Sequence, residues 1–246
     1  MGLSVIVITR NEEANIAACL ESVAFADEIV VVDSGSSDRT ADIARAFGAH
    51  VTVTPDWPGF GRQKQRALDM ATQDWVLSLD ADERIPEGLR GEILRATGSD
   101  VAGFRINRLS SFLGKAMRHG GWFPDRILRL ARRDRARFTD DVVHERLVVD
   151  GPVGDLSEPM LHNSYDDVDD VLRKMRTYAL AAAERRRREG IAGGLGIAIA
   201  RSAFAFFRGY VLRGGFLDGG HGFVAASYRA HETFWRYLSL GWDKGR

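Results

Sequence analysis

Apolar and polar residues alternate in blocks along the first hundred positions. Residues 3–8 (LSVIVI), 28–32 (EIVVV), 50–54 and 75–79 (WVLSL) are short runs rich in β-branched side chains, the pattern of buried strands. Stretches with helical spacing lie between them. Ile16, Cys19, Leu20 and Val23 share one face of a helix predicted over 11–23. Residues 38–47 predict a second helix stopped by Gly48, and 62–71 a third. A fourth begins near Pro86, where proline is favoured, and runs to 96. The turn-rich string PDWPGFG over 55–61 predicts a loop. Strands alternating with helices predict an α/β fold with a mostly parallel central sheet flanked by helices.

The pattern changes after residue 102. Residues 103–109, 127–130, 142–149 and 160–164 predict further strands, with a long loop over 110–124. A helix over 166–188 ends in ERRRR. Two more helices, over 201–212 and 221–240, are separated by a glycine-rich turn. The chain therefore divides into residues 1–100, 101–165 and a helical C-terminal region over 166–246.

Composition narrows the class. At 246 residues, 45% hydrophobic and 28% charged, the chain is globular rather than disordered or fibrous. Lys plus Arg and Asp plus Glu each number 34, which argues against a generally basic nucleic-acid binder. The balance is uneven along the chain: residues 1–172 hold 29 acids and 20 bases, and residues 173–246 hold 5 acids and 14 bases. A basic C-terminal third suits an anionic partner, either a membrane surface or a phosphorylated substrate, or is simply a solvated basic helix. Cys19 is the only cysteine, so an internal disulfide is excluded and the chain reads as intracellular. No signal-peptide pattern precedes the first apolar run. The apolar stretch 191–207 is interrupted by Gly193, Gly194, Gly196 and Arg201, and reads as interfacial rather than membrane-spanning.

Ligands of parallel α/β sheets bind outside the carboxyl ends of the strands. Those ends here are Thr9-Arg10-Asn11-Glu12, Asp33-Ser34-Gly35-Ser36, Thr54-Pro55-Asp56 and Asp80-Ala81-Asp82-Glu83. Hard divalent cations take carboxylate and phosphate oxygens, so Asp80 and Asp82 can divide the work between a metal and a ribose hydroxyl or metal-bound water. Asp33 is expected to touch a ligand. Asp38 is expected to cap the following helix, and Asn11 is a plausible cap for the first. A nucleotidyltransferase would carry a glycine-rich phosphate loop after the first strand. Arg10-Asn11-Glu12-Glu13 stands there instead.

The combination SVIVITRNEE, EIVVVDSGSSDRT and DWVLSLDADE resembles the inverting family 2 glycosyltransferases of GT-A fold. Lys64-Gln65 stands where that family usually has Arg-Asn. In the second half, GGWFPDR over 120–126, DVVHE over 141–145, LHNSY over 161–165 and YVLRGGFLDG over 210–219 resemble the lipopolysaccharide-core glucosyltransferases. The resemblance implies transfer of glucose from UDP-glucose to a lipid-linked saccharide, such as a core heptose, at the cytoplasmic membrane face. It implies Mg²⁺ or Mn²⁺ and no nucleic acid. Residues 1–100 become the nucleotide-sugar half and 101–165 the acceptor half with the catalytic base.

Inverting transfer needs a base for the acceptor hydroxyl and charge stabilisation for the departing diphosphate. Glu145 stands at the family's catalytic acidic position, with Asp141 and Asp140 as alternatives. Thr9, Asn11, Glu12, Asp33, Lys64, Asp80 and Arg126 are the expected donor contacts. Asp80, Asp82 and His162 are the expected metal set; His162 either completes the metal site or contacts the diphosphate. Lys64 and Arg126 suit phosphate oxygens or are surface charges. Trp122 is either a sugar platform or core. Other products of the same fold, with a different donor or acceptor or with only nucleotide-sugar binding, remain open at this level.

Overall fold

The computed structural model describes residues 1–139 and 145–242. It forms two compact units. The first takes Met1–Arg108 and Asp125–His162, and the second takes Leu109–Pro124 and the chain from Asn163 on.

The first unit is built on β1 (Leu3–Thr9), β2 (Glu28–Asp33), β3 (His50–Val53) and β4 (Trp75–Asp80), all parallel, in the order β3-β2-β1-β4. Every residue of β1 is buried, Ser4 and Thr9 included, as its mostly apolar run requires of a central strand covered on both faces. α1 (Ile16–Ser22) buries Ile16, Cys19 and Leu20, the face expected from spacing. The helix starts later than expected, because residues 11–15 turn first and Asn15 is its N-terminal flank. α2 (Thr40–Ala46) and α3 (Phe60–Met70) follow β2 and β3. β5 (Glu83–Arg84) and α4 (Glu87–Ala96) follow β4. β6 (Gly103–Phe112) continues past Leu109 into the second unit, and β7 (Lys115–Ala116) pairs with its far end there. β8 (Arg126–Arg132) lies antiparallel to both β4 and β6.

The remaining strands of the first unit are short. β9 (Ala136–Phe138) and β10 (Leu147–Val149) form a separate ribbon, β11 (Val153–Asp155) pairs with the start of β6, and β12 (Met160–Tyr165) pairs with β5. The sheet is thus mixed, parallel over its first four strands and antiparallel beyond, except where β11 runs parallel to the start of β6. With helices around it and a helical C-terminal part, it has the architecture expected from the resemblance.

The register decides what meets at the sheet's carboxyl edge. Thr9 pairs with Asp33 and Ile8 with Asp80, so the first, second and fourth strand ends lie side by side. Trp75, Leu77 and Leu79 pack with Val5, Val7 and Leu20 on one face, and Ile6, Val32 and Val76 with Ala67 and Leu68 on the other.

The second unit is helical. α5 (Val168–Arg188) and α6 (Leu195–Phe207) both pack on α7 (Gly219–Trp242). Asp167 caps α5, accepting from the Asp170 amide at 2.8 Å. Gly194 precedes α6 with φ of 124°, so the glycines expected to interrupt the apolar stretch mostly lie before the helix. A π-helical turn, Arg208–Leu212, extends it. The apolar stretch Leu195–Leu212 is consequently 18 residues, longer than the sequence suggests, and long and apolar enough to cross a membrane by length and composition. Phe112, Met117, Tyr165, Val171, Ala225 and Tyr228 form this unit's core. Trp122 packs edge-on against Phe112 and Tyr165, with ring centroids at 5.6 and 6.0 Å, as a core aromatic does.

Candidate active site

The strand ends are tied together by polar side chains. The Asp33 carboxylate accepts from the Gly35 and Ser36 amides at 3.0 and 2.8 Å and from the Ser36 hydroxyl at 2.5 Å, which shapes its own turn. Asn11, at φ 55°, donates its amide to Ser36 Oγ and accepts the Ser37 amide on Oδ1, both at 2.8 Å. It therefore joins the β1 and β2 ends rather than capping a helix. Glu12 donates its amide to Thr40 Oγ1, and its carboxylate takes the Asn15 side chain. Asp38 accepts the Thr40 amide at 3.0 Å, but it stands one residue before Arg39, the N-terminal flank of α2, so it shapes the turn into the helix rather than capping it as expected. Thr9 is buried, and its Oγ1 is without a hydrogen-bond partner among the described residues.

α3 carries Lys64 inward. Gln63 on the same buried face donates to Ser34 Oγ and Thr54 Oγ1, at 2.9 and 2.6 Å, which pins the helix to the β2 and β3 ends. Lys64 Nζ then lies 2.9 Å from Asp80 Oδ1 and 3.2 Å from Glu145 Oε1, with its side chain 6% exposed. The second Asp80 oxygen takes Arg129 Nη2 at 2.6 Å, and Glu83 Oε1 takes the same nitrogen at 2.6 Å. Glu83 Oε2 accepts the Asp80 amide. Arg108 stands 3.6 Å from Glu83 and is clamped by Asp125.

Electrostatics follow from this wiring. Burial works against the Asp80 charge, but Arg129 and Lys64 outweigh it and hold its carboxyl far below the usual carboxylate range. Glu83 is fully buried, and burial pushes its carboxyl up despite Arg129. Cys19 packs beneath, with its thiol pushed up to about 12 by burial, and is chemically quiet.

Lys64, Asp80, Arg126 and Glu145 share a cavity of about 530 Å³, to which Arg108, Arg129 and Arg146 also contribute. Five cations and two carboxylates line it; Arg108 and Arg129 also meet Asp125 and Glu83, and the remaining positive excess suits an anion. One step beyond Asp80, Asp82 Oδ2 lies 3.3 Å from His162 Nε2. That pair is held by the antiparallel register of β12 on β5, where His162 faces Glu83.

The three residues expected to bind a metal do not form a cluster. Among the described residues no group of three His, Cys, Asp or Glu is placed to hold one. The reason is local, since both Asp80 oxygens are occupied by cations. Asp82 and His162 alone fit, as Mg²⁺ and Mn²⁺ accept one or two protein ligands when substrate phosphates supply the rest. Asp140 and Asp141 lie outside the described residues.

Sequence reasoning missed Arg129, Arg108 and Glu83. The signal was an arginine inside the apolar string RILRLAR, at a strand position that must be buried, with an acid following Asp82 to pair with it.

Gly61 supplies space for the site. A Cβ there would lie 2.1 Å from Thr139 O and 3.3 Å from the Glu145 Cβ. Gly61→Ala is expected to displace the Thr139 backbone and Glu145, costing about 1–3 kcal/mol in urea unfolding together with a clear fall in turnover.

The family described as "Glycosyl transferase family 2" matches residues 4–147 of the chain. Among curated relatives, the lipopolysaccharide core biosynthesis glycosyltransferase LpsC of Rhizobium meliloti (strain 1021) is 32% identical, covering 94% of this chain and 89% of its own length. An uncharacterized glycosyltransferase of Rickettsia typhi, RT0209, is 29% identical, covering 97% and 86%. Among solved structures, S. aureus TarS 1-349 in complex with UDP-GlcNAc gives a TM-score of 0.49 at 19% identity, covering 75% of this chain and 66% of that chain. Glucosyl-3-phosphoglycerate synthase from Mycobacterium tuberculosis in complex with Mn²⁺, UDP and glucosyl-3-phosphoglycerate gives 0.42 at 25%, covering 54% and 57%.

Proposed function

Because the chain belongs to glycosyl transferase family 2, we propose that it is an inverting hexosyltransferase that moves glucose from UDP-glucose to a hydroxyl of a lipid-linked saccharide, such as a lipopolysaccharide-core heptose. The observation that carries this reading is Lys64, which holds Asp80 and Glu145 together in an arginine-lined cavity. The relative named for lipopolysaccharide core biosynthesis supports the acceptor.

The roles follow from position. Thr9, whose hydroxyl has no hydrogen-bond partner among the described residues, and Asn11, Glu12 and Asp33 beside it take the nucleoside end of the donor. Lys64 and Arg126 face the diphosphate from the cavity wall, and Asp80 fixes Lys64. Glu145 accepts the proton of the acceptor hydroxyl. The freed oxygen pair attacks the anomeric carbon from the face opposite the diphosphate. The bond to the diphosphate breaks, and UDP leaves with the electron pair. Asp82 and His162 would hold Mg²⁺ or Mn²⁺, which would supply positive charge for the departing diphosphate. The basic, apolar C-terminal region holds the enzyme peripherally on the inner face of the cell membrane, through exposed Phe204, Phe207 and Leu212 with Arg201 and Arg208.

The test is calorimetric binding of UDP, UDP-glucose and GDP, with and without Mn²⁺. The reading predicts metal-dependent binding of UDP and UDP-glucose that weakens at least about tenfold in Asp82→Ala. Binding of GDP in preference to UDP would contradict the donor, and binding indifferent to Asp82 would contradict the metal site.

A further inference from the structure

The second unit contains a cavity of its own, about 210 Å³, lined by none of the residues given a role in the transfer chemistry above. Its walls bring together Arg208, Arg213, Arg229, Trp122, Gly121 and Gly222. Among the described residues, neither Arg208 nor Arg213 has an acid within ion-pair reach. The acids nearby are spent elsewhere: Asp218 takes His119 and the amides of Arg118 and His119, and Glu232 takes Arg236 and, more distantly, Arg229. Like charges gathered without counter-charge repel, and an anion relieves them.

The cavity is built, not incidental. A Cβ on Gly121 would lie 2.3 Å from Arg213 Nη1, and one on Gly222 would lie 1.8 Å from Gly215 O. Gly120 and Gly121 take φ of 68° and 86°, a conformation that favours glycine. The Gly120 amide donates to Arg213 O at 2.9 Å, and the Arg213 amide donates to Arg208 O at 2.9 Å. The backbone is thereby drawn tight beneath the guanidinium groups.

The surroundings say what sort of anion fits. Phe204, Phe207, Val211, Leu212, Phe216 and Leu217, from α6 and the turns after it, are all exposed, with Leu212 62% and Leu217 60% accessible. Free phosphate would satisfy the arginines and leave these apolar side chains, which alternate in sequence with the lining residues Ala205, Arg208 and Arg213, in water. A phosphate carried on acyl chains satisfies both, because arginine matches phosphate oxygens and the rim matches the acyl boundary.

We propose that Arg208, Arg213 and Arg229 form a headgroup site for a membrane lipid whose phosphate is exposed and net anionic, with the α6 face lying in the bilayer interface. This deepens the membrane part of the reading above and is independent of the donor site.

The experiment is co-sedimentation of the full chain with phosphatidylcholine vesicles, with and without phosphatidic acid. The expected result is binding that requires phosphatidic acid and falls about tenfold or more in Arg208→Gln/Arg213→Gln. Arg173→Gln/Arg188→Gln removes the same charge from exposed positions of α5 and is expected to lose far less. Phe204→Ser/Leu212→Ser keeps the arginines and is expected to lose vesicle binding while retaining its circular dichroism. Equal losses in the two arginine pairs would overturn the site in favour of diffuse attraction. Binding of inorganic phosphate by calorimetry without vesicle binding would overturn the lipid. UDP binding is measured on the same samples, so failure of the donor reading is seen separately from failure of this one.

Discussion

Glu145→Gln is expected to lower kcat for glucosyl transfer by about a thousandfold, with KM for UDP-glucose changed by less than about threefold. The carboxylate is 18% exposed and faces the cavity, where an acceptor hydroxyl can reach it. Glutamine keeps its size and an oxygen for Lys64, so the helix and cavity stay in place while the proton acceptor is lost. Steady-state kinetics with purified acceptor read the effect. An unchanged kcat would move the base to Asp141 or Asp140, and the same exchange at those positions would then carry the loss.

Arg129→Met is expected to be the most destabilising of the changes considered, at about 3–5 kcal/mol in urea unfolding. Arg129 bridges two carboxylates with one nitrogen, at 2.6 Å from each. Glu83 is fully buried, and its remaining cation, Arg108, is 3.6 Å away. Removing Arg129 leaves that acid uncompensated in the interior, where an unpaired charge is costly. Asp80 keeps only Lys64, so Lys64 is drawn away from Glu145 and activity falls as well. Glu83→Met added to Arg129→Met is expected to recover a good part of the stability, because the buried charge goes with its partner. A single variant no less stable than the wild type would contradict this network.

The sheet was legible because its strands are mostly apolar runs ending in polar clusters, as in LSVIVI before Thr9 and WVLSL before Asp80. The site was legible in part. The strand pattern placed Asp33 and Asp80 at strand ends on one edge of the sheet, and the resemblance put Lys64 and Glu145 in the site, but nothing local said that one lysine would bind both Asp80 and Glu145 across 81 residues of chain. Arg129 was hidden because a charged residue in a strand normally marks an exposed face, and here it marks a buried counter-ion. The first helix was read too early because Asn11 has the chemistry of a cap; its positive φ and its bonds to residues 36 and 37 use that chemistry to join two loops. At α6 the glycines at 193 and 194 looked like interruptions and proved to be the approach to the helix.

The central claim, direct displacement at the anomeric carbon with Glu145 as base, is tested most directly by the configuration of the product. UDP-glucose carries an α-anomeric bond. The wild-type enzyme, given UDP-glucose, Mn²⁺ and a heptose-bearing lipid acceptor, is expected to yield a β-linked glucoside, read from the anomeric proton coupling by NMR before any rearrangement. An α-linked product would mean retention of configuration and would contradict the mechanism.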